Sequence, residues 1–157
     1  MKSTEILNMQ GALTLELFDR KNQPVQKTKQ GNHIVLSGRD LVMKLFINEQ
    51  IDPISHIAVG TGSGAVTGTD VKLEKEFFRK AFDTIDPSVH LSTTDDNRRK
   101  VILTTELDYA ESNGPLTEAG IFTNAGANLG TMYNRVVFPP INKTLDFKLT
   151  LIWEILF

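Results

Sequence analysis

The chain contains no cysteine. Disulfides, thiolate nucleophiles and cysteine-bound zinc are therefore excluded. The compartment is not fixed by this: a reducing cytosol fits, and so does a particle assembled there and released later. Charge of one sign is equally scarce. The 17 Lys and Arg against 19 Asp and Glu leave a formal net charge of −2. That predicts no broad electrostatic hold on nucleic acid or on an acidic membrane surface. No apolar run approaches the ~20 residues of a membrane span. The first residues, MKSTEILNMQ, lack an apolar core of signal-peptide length. A soluble protein made in the cytoplasm is expected.

What is present suits one globular domain. The chain has 157 residues and is 40% hydrophobic. A chain of that size buries roughly 70% of its unfolded surface and needs no metal or disulfide to fold. The sequence shows no internal repeat and no linker, so a single domain over residues 1–157 is expected. GALTLELF, from Gly11 to Phe18, alternates: Leu13, Leu15 and Leu17 share one face, as in a half-buried strand. Asn22 and Pro24 then mark a turn, and VQKTKQ reads as a polar edge strand. LSGRDLVMKLFINEQ reads as a helix over about 37–48, with Ser37 as N-cap and an apolar stripe of Leu41, Val42, Leu45 and Phe46. KLEKEFFRKAFD fits a helix or a strand.

Two hairpins follow. One turns at Thr94–Asn97 and returns over about Arg99 to Leu107; the other turns at Asn124–Asn128. Pro139-Pro140 is expected to stop pairing, because proline donates no backbone hydrogen bond. In the last segment Leu145, Phe147, Leu149, Leu151, Trp153, Ile155 and Phe157 are all apolar and all odd-numbered. Only a strand places them together. Ile152 and Leu156, on the second face, imply that its far end is covered too. One helix and seven or eight strands predict a mainly β fold: an antiparallel β-sandwich or partly closed barrel with one inserted helix.

The glycines of ISHIAVGTGSGAVTG invite a nucleotide reading. Gly60, Gly62 and Gly64-Ala65 literally satisfy G-x-G-x-x-G/A. The chemistry also needs a helix whose N-terminus faces the pyrophosphate. Val66-Thr67-Gly68-Thr69-Asp70 is poor helix material, and no Lys-Ser or Lys-Thr supplies a P-loop. The favoured reading is a loop leaving a strand, with glycines free to take positive φ. No cofactor is expected.

The remaining constellations each have a plainer reading. His33, His56 and His90 share no ligand spacing, so no metal is expected. Asp95-Asp96-Asn97 lacks the glycine and distal glutamate of an EF-hand. Glu106, Asp108, Glu111 and Glu118 contain enough acids for a hydrolytic pair, but acids around a turn are usually surface. Arg98-Arg99-Lys100 is offset by Asp95 and Asp96. Ser37 and Ser63 have no nucleophile-elbow context. No catalytic residues emerge. Phe77, Phe78 and Phe82 read as core or, where exposed, as a protein interface.

The order of five short motifs is more informative. They are Ile57-Ala58-Val59-Gly60-Thr61-Gly62, Glu76-Phe77-Phe78-Arg79, Thr117-Glu118-Ala119-Gly120-Ile121-Phe122, Gly130-Thr131-Met132-Tyr133 and Pro139-Pro140-Ile141-Asn142-Lys143. Over roughly residues 34 to 157 this order resembles small bacteriophage and prophage virion proteins. It is similar to the N-terminal, tail-attached domain of phage tail-collar fibre proteins, and to small accessory proteins of phage-like contractile particles. The resemblance implies a non-enzymatic structural role in the virion, assembled in the host bacterial cytoplasm, as a tail, baseplate or fibre-attachment adaptor. It implies other virion proteins as partners, and a closed homo-oligomer, trimer or hexamer. A collar fibre continues into a shaft and tip; this chain stops at Phe157, which implies the attachment unit alone.

The first 30 residues lie outside the match and form either an extra hairpin or an arm onto a neighbour. Deleting them is expected to leave a folded protein that assembles poorly. The expected contacts are Leu13, Leu15 and Leu17 in that segment, the aromatics Phe77, Phe78 and Phe82, and the corner Val137, Phe138, Pro139, Pro140 and Ile141. Two rivals stand beside this reading. One is a capsid-decorating or neck protein. The other is a carbohydrate-binding module of a receptor-recognition device, which would need exposed aromatics where Trp153 reads as core.

Overall fold

The computed structural model describes residues 8–157. Strand β10 (Lys148–Leu156) is the middle of a five-stranded sheet, because its alternation gives it one fully apolar face. Leu149, Leu151, Trp153 and Ile155 are all buried. On one side β10 pairs antiparallel with β1 (Gln10–Phe18), which sets Leu13 opposite Trp153, Leu15 opposite Leu151 and Leu17 opposite Leu149. On the other side β7 (Arg99–Leu107) sets Leu103 opposite Trp153 and Leu107 opposite Leu149. The edges are β2 (Pro24–Gly31) and the short β6 (Leu91–Thr93). On β2, Lys27 pairs with Glu16 and Lys29 with Glu154, so this edge is charged and resists pairing with another chain.

The second sheet runs in the order β3 (His33–Ile34), β9 (Met132–Lys143), β8 (Gly114–Phe122), β4 (His56–Gly60), β5 (Glu76–Ala81). All pairings in both sheets are antiparallel. Ile57, Val59, Ala119 and Ile121 join the leucines of the first sheet in one core. Ala58, Phe122 and Met132 form a smaller cluster with Val35 and Leu73. The loop carrying Leu73 thus covers the outer side of this sheet. Burial on both faces is why β4 and β8 read as near-continuous apolar runs rather than alternating ones.

The fold is therefore a β-sandwich with an inserted helix; neither sheet closes into a barrel. KLEKEFFRKAFD resolves as strand β5. The proline pair does not end its strand. Phe138, Pro139 and Pro140 bulge opposite Thr117 alone, and pairing resumes at Ile141 with Leu116. A bulge removes the need for the missing donors. β10 begins at Lys148, so Leu145 lies outside it and is exposed.

Helix α1 (Leu36–Phe46) starts from Val35, whose side chain offers no cap. Ser37 is not the N-cap; its hydroxyl donates instead to the Met132 carbonyl at 2.7 Å. Asn48, at φ 53°, ends the helix in the left-handed conformation that asparagine tolerates. A one-turn helix, α2 (Pro87–His90), was not foreseen; Asp86 caps it by accepting from the Ser88 N–H.

Candidate functional site

The glycine loop closes around a carboxylate of the protein itself. Glu118, fully buried on β8, accepts from Gly62 N–H at 3.0 Å, Lys75 N–H at 2.7 Å and Glu74 N–H at 3.0 Å. Arg135, on neighbouring β9, adds its Nε at 3.0 Å and donates from Nη1 to Asp70 at 2.9 Å. A Cβ on Gly62 would stand 2.5 Å from Glu118 Oε1, so only glycine lets the loop approach this closely. Positive φ is not the reason. Among the described residues the positive-φ glycines are Gly114 and Gly130, both outside the loop. The glycine-loop N–H groups of Gly62 and Gly64 are thus engaged by the protein's own carboxylates, Glu118 and Glu74, and that of Thr61 by the Lys75 carbonyl.

This arrangement perturbs its members. Burial alone would raise the Asp70 carboxyl. Hydrogen bonds from the Thr67 N–H and from Arg135 outweigh it and hold the group below the usual carboxylate range. Burial likewise disfavours the charged Arg135, but its bonds to Asp70 and Glu118 raise its pKa above the ordinary value. The result is a clamp that keeps residues 61–75 on the sheet.

Two other buried cations hold loops. Arg79 forms a two-point pair with Glu76, 2.8 Å from Nε and 2.7 Å from Nη2. It also donates to the carbonyls of Asn124 and Leu129, both at 2.9 Å, and stacks over Phe122. It thereby closes the β8–β9 turn. Lys143 donates to the Asp108 carbonyl at 2.6 Å and to Asn113 Oδ1 at 3.1 Å, which closes the β7–β8 turn. Desolvation lowers its pKa.

The acids singled out from sequence do not converge. Glu106 pairs with Lys148, Glu111 with Lys80, and Glu118 with Arg135. The histidines also stay apart in their contacts. His56 Nδ1 lies 2.8 Å from Ser55 Oγ, and burial with the nearby Arg79 charge lowers its pKa; His90 bonds back to Asp86. Asp95-Asp96-Asn97 forms the β6–β7 turn, where Thr94 bonds Asp96. Arg98 donates to the Asn8 carbonyl and to Gln10.

The expected contact residues fall into different places. Leu13, Leu15 and Leu17 are core. Their apolar face is covered by this chain, in a hairpin of β1 and β2, and not by a neighbour; residues 1–7 of the proposed arm lie outside the described residues. Phe138 and Ile141 are core as well, while Val137 is half-buried. Phe78 and Phe82 pack partly buried against the core. That leaves Phe77, Pro139 and Pro140 facing solvent.

The larger open apolar surface lies elsewhere, at α1. The helix docks through its first turns: Gly38 is buried so closely under it that a Cβ would overlap the Tyr133 carbonyl. Leu41 is buried and Val42 half-buried, but Leu45 and Phe46, expected on the same packed stripe, are exposed. Between the helix and the sandwich is a cleft of about 410 Å³. Leu41, Val42 and Leu45 line one side; Ile85, Val101, Leu103, Ile155 and Phe157 line the other. Tyr133 lies in its wall, and burial pushes its phenol up to about 12. Among the described residues Asp52 is the only charged one in the lining. Such a cleft offers apolar contact and little with which to bind or activate a polar substrate. The sequence signal for it was the density of apolar residues from Leu41 to Ile47, all of them except Lys44.

Compared with family models, curated proteins and solved structures, the chain matches none.

Proposed function

We propose that this chain is a non-enzymatic structural protein of a phage or phage-like contractile particle, acting as a tail, baseplate or fibre-attachment adaptor through protein–protein contacts. The observation that carries a contact role is the run of exposed apolar side chains at the end of α1, Met43, Leu45, Phe46 and Ile47, beside an apolar cleft. The distribution of charge supports it. The buried charged side chains Glu118, Arg135, Arg79 and Lys143 are used to hold loops, which gives a rigid frame.

The particle assignment draws on the order of the five motifs. All five lie in the second sheet and its loops: in β4, β5, β8 and the two ends of β9. Their charged members Glu76, Arg79, Glu118 and Lys143 serve the frame, as a structural family would use them. Other particle proteins and further copies of the chain are the partners. Antibody-gold labelling of particles purified from the source lysate tests this by electron microscopy. Label at the tail end or baseplate supports the adaptor. Label on the head or neck moves the role to decoration or sealing, and particles without label contradict a particle role.

A further inference from the structure

Among the buried cations, Lys143 is held without a carboxylate. The residue is 1% exposed, and its ammonium donates to the carbonyls of Asp108 and Tyr109 and to Asn113 Oδ1. Among the described residues no carboxylate bonds it; nearby Glu111 is taken by Lys80. A buried charge without a counter-charge is costly. Asn113 has the shape of the missing carboxylate, with an amide in its place. It is exposed, so water reaches it, and Gly114 follows it. No other Asn-Gly pair occurs in the sequence.

The surroundings favour attack on that amide. Gly114 has no side chain to shield its nitrogen; beyond its chain neighbours, even a Cβ there would meet nothing nearer than Phe77 at 3.9 Å. A nucleophile on the next residue is already in place. The Lys143 ammonium lies 3.1 Å from Asn113 Oδ1, where negative charge grows as the carbonyl is attacked. We propose that Asn113-Gly114 is a self-modification site, which loses ammonia, takes up water and leaves an aspartate paired with Lys143. The Gly114 nitrogen bonds Asn113 Cγ, the Cγ–Nδ2 bond breaks, and Nδ2 departs as ammonia with the Gly114 proton. Water then adds at Cγ of the succinimide, breaks its bond to the Gly114 nitrogen and returns a proton there. Opening at the backbone carbonyl instead would lengthen the chain at the head of β8, where Gly114 faces Lys143 in register. The folded chain therefore favours the aspartyl product. The change completes the clamp on the β7–β8 turn and does not depend on the particle role.

The test is intact mass and peptide mapping of the full chain, fresh and after days at body temperature and mildly alkaline pH. The peptide holding residue 113 is expected to gain the mass difference between amide and acid. It should do so at least about tenfold faster than any other asparagine peptide, as an adjacent nucleophile and an oxyanion donor together give. Asn113→Asp, the product made directly, is expected to melt a few degrees above the wild type at neutral pH. That gain is fully present above the carboxylate's unfolded pKa, and the difference should close below about pH 4. In a Lys143→Met background the same substitution should gain nothing; if that background does not fold, the acid titration decides alone. An Asn113 that stays an amide while the urea-unfolded chain converts overturns the site. An Asn113→Asp chain that melts at or below the wild type, or whose gain survives acid, overturns the capture by Lys143.

Discussion

At Glu118 one carboxylate sets the shape of a whole loop. Four donors converge on it, three of them backbone N–H groups. Removing one partner of a buried pair leaves the other charge uncompensated. Glu118→Ala is therefore expected to cost about 3–5 kcal/mol, read as a lower urea midpoint. An unchanged midpoint would show that the loop does not depend on the clamp. The same cluster sets an acid limit. The Asp70 carboxyl titrates lower in the folded chain than its ordinary 3.8. Its contribution is fully present above the unfolded value and is lost as pH falls through the folded one. Glu111 and Glu154 are lowered too, chiefly by hydrogen bonds from Lys80 and Lys29, and act in the same direction. The melting temperature should ease down from neutral pH through the histidine range, because His56 takes up its proton more readily in the unfolded chain, and fall steeply below about 4 as the lowered carboxylates protonate. Asp70→Asn should make that fall shallower, measured as melting temperature against pH.

At the scale of elements, the N-terminal hairpin is part of the sandwich. β1 lies between β10 and β2 and contributes three buried leucines. Deleting residues 1–30 should therefore abolish cooperative unfolding and the near-ultraviolet signal of buried Trp153, reversing the expectation of a folded truncation. A truncated chain that still melts sharply would contradict this. What the sequence showed of these elements depended on local chemistry. The odd-numbered apolar residues of β10 and the leucines of β1 declared strands because one face had to be dry. Three hairpin turns were visible because Asn22, Asn97 and Asn128 each take positive φ there. The proline bulge was hidden, since it depends on Thr117 in the partner strand. The role of Gly62 was hidden for the same reason: it is set by Glu118, 56 residues away. The exposed end of α1 was misread because apolar density shows that a surface is to be covered and not what covers it.

At the scale of the molecule, two clamped sheets carry a helix whose last turn leaves Met43, Leu45, Phe46 and Ile47 exposed beside an apolar cleft. The most direct measurement is mass spectrometry of gradient-purified particles made with either the wild-type chain or Phe46→Asp, each supplied as the sole copy. The account predicts the wild type at a fixed ratio to the other particle proteins and the variant, though folded, missing or strongly depleted. Particles that lack the wild type, or that carry the variant at the same ratio, would contradict it.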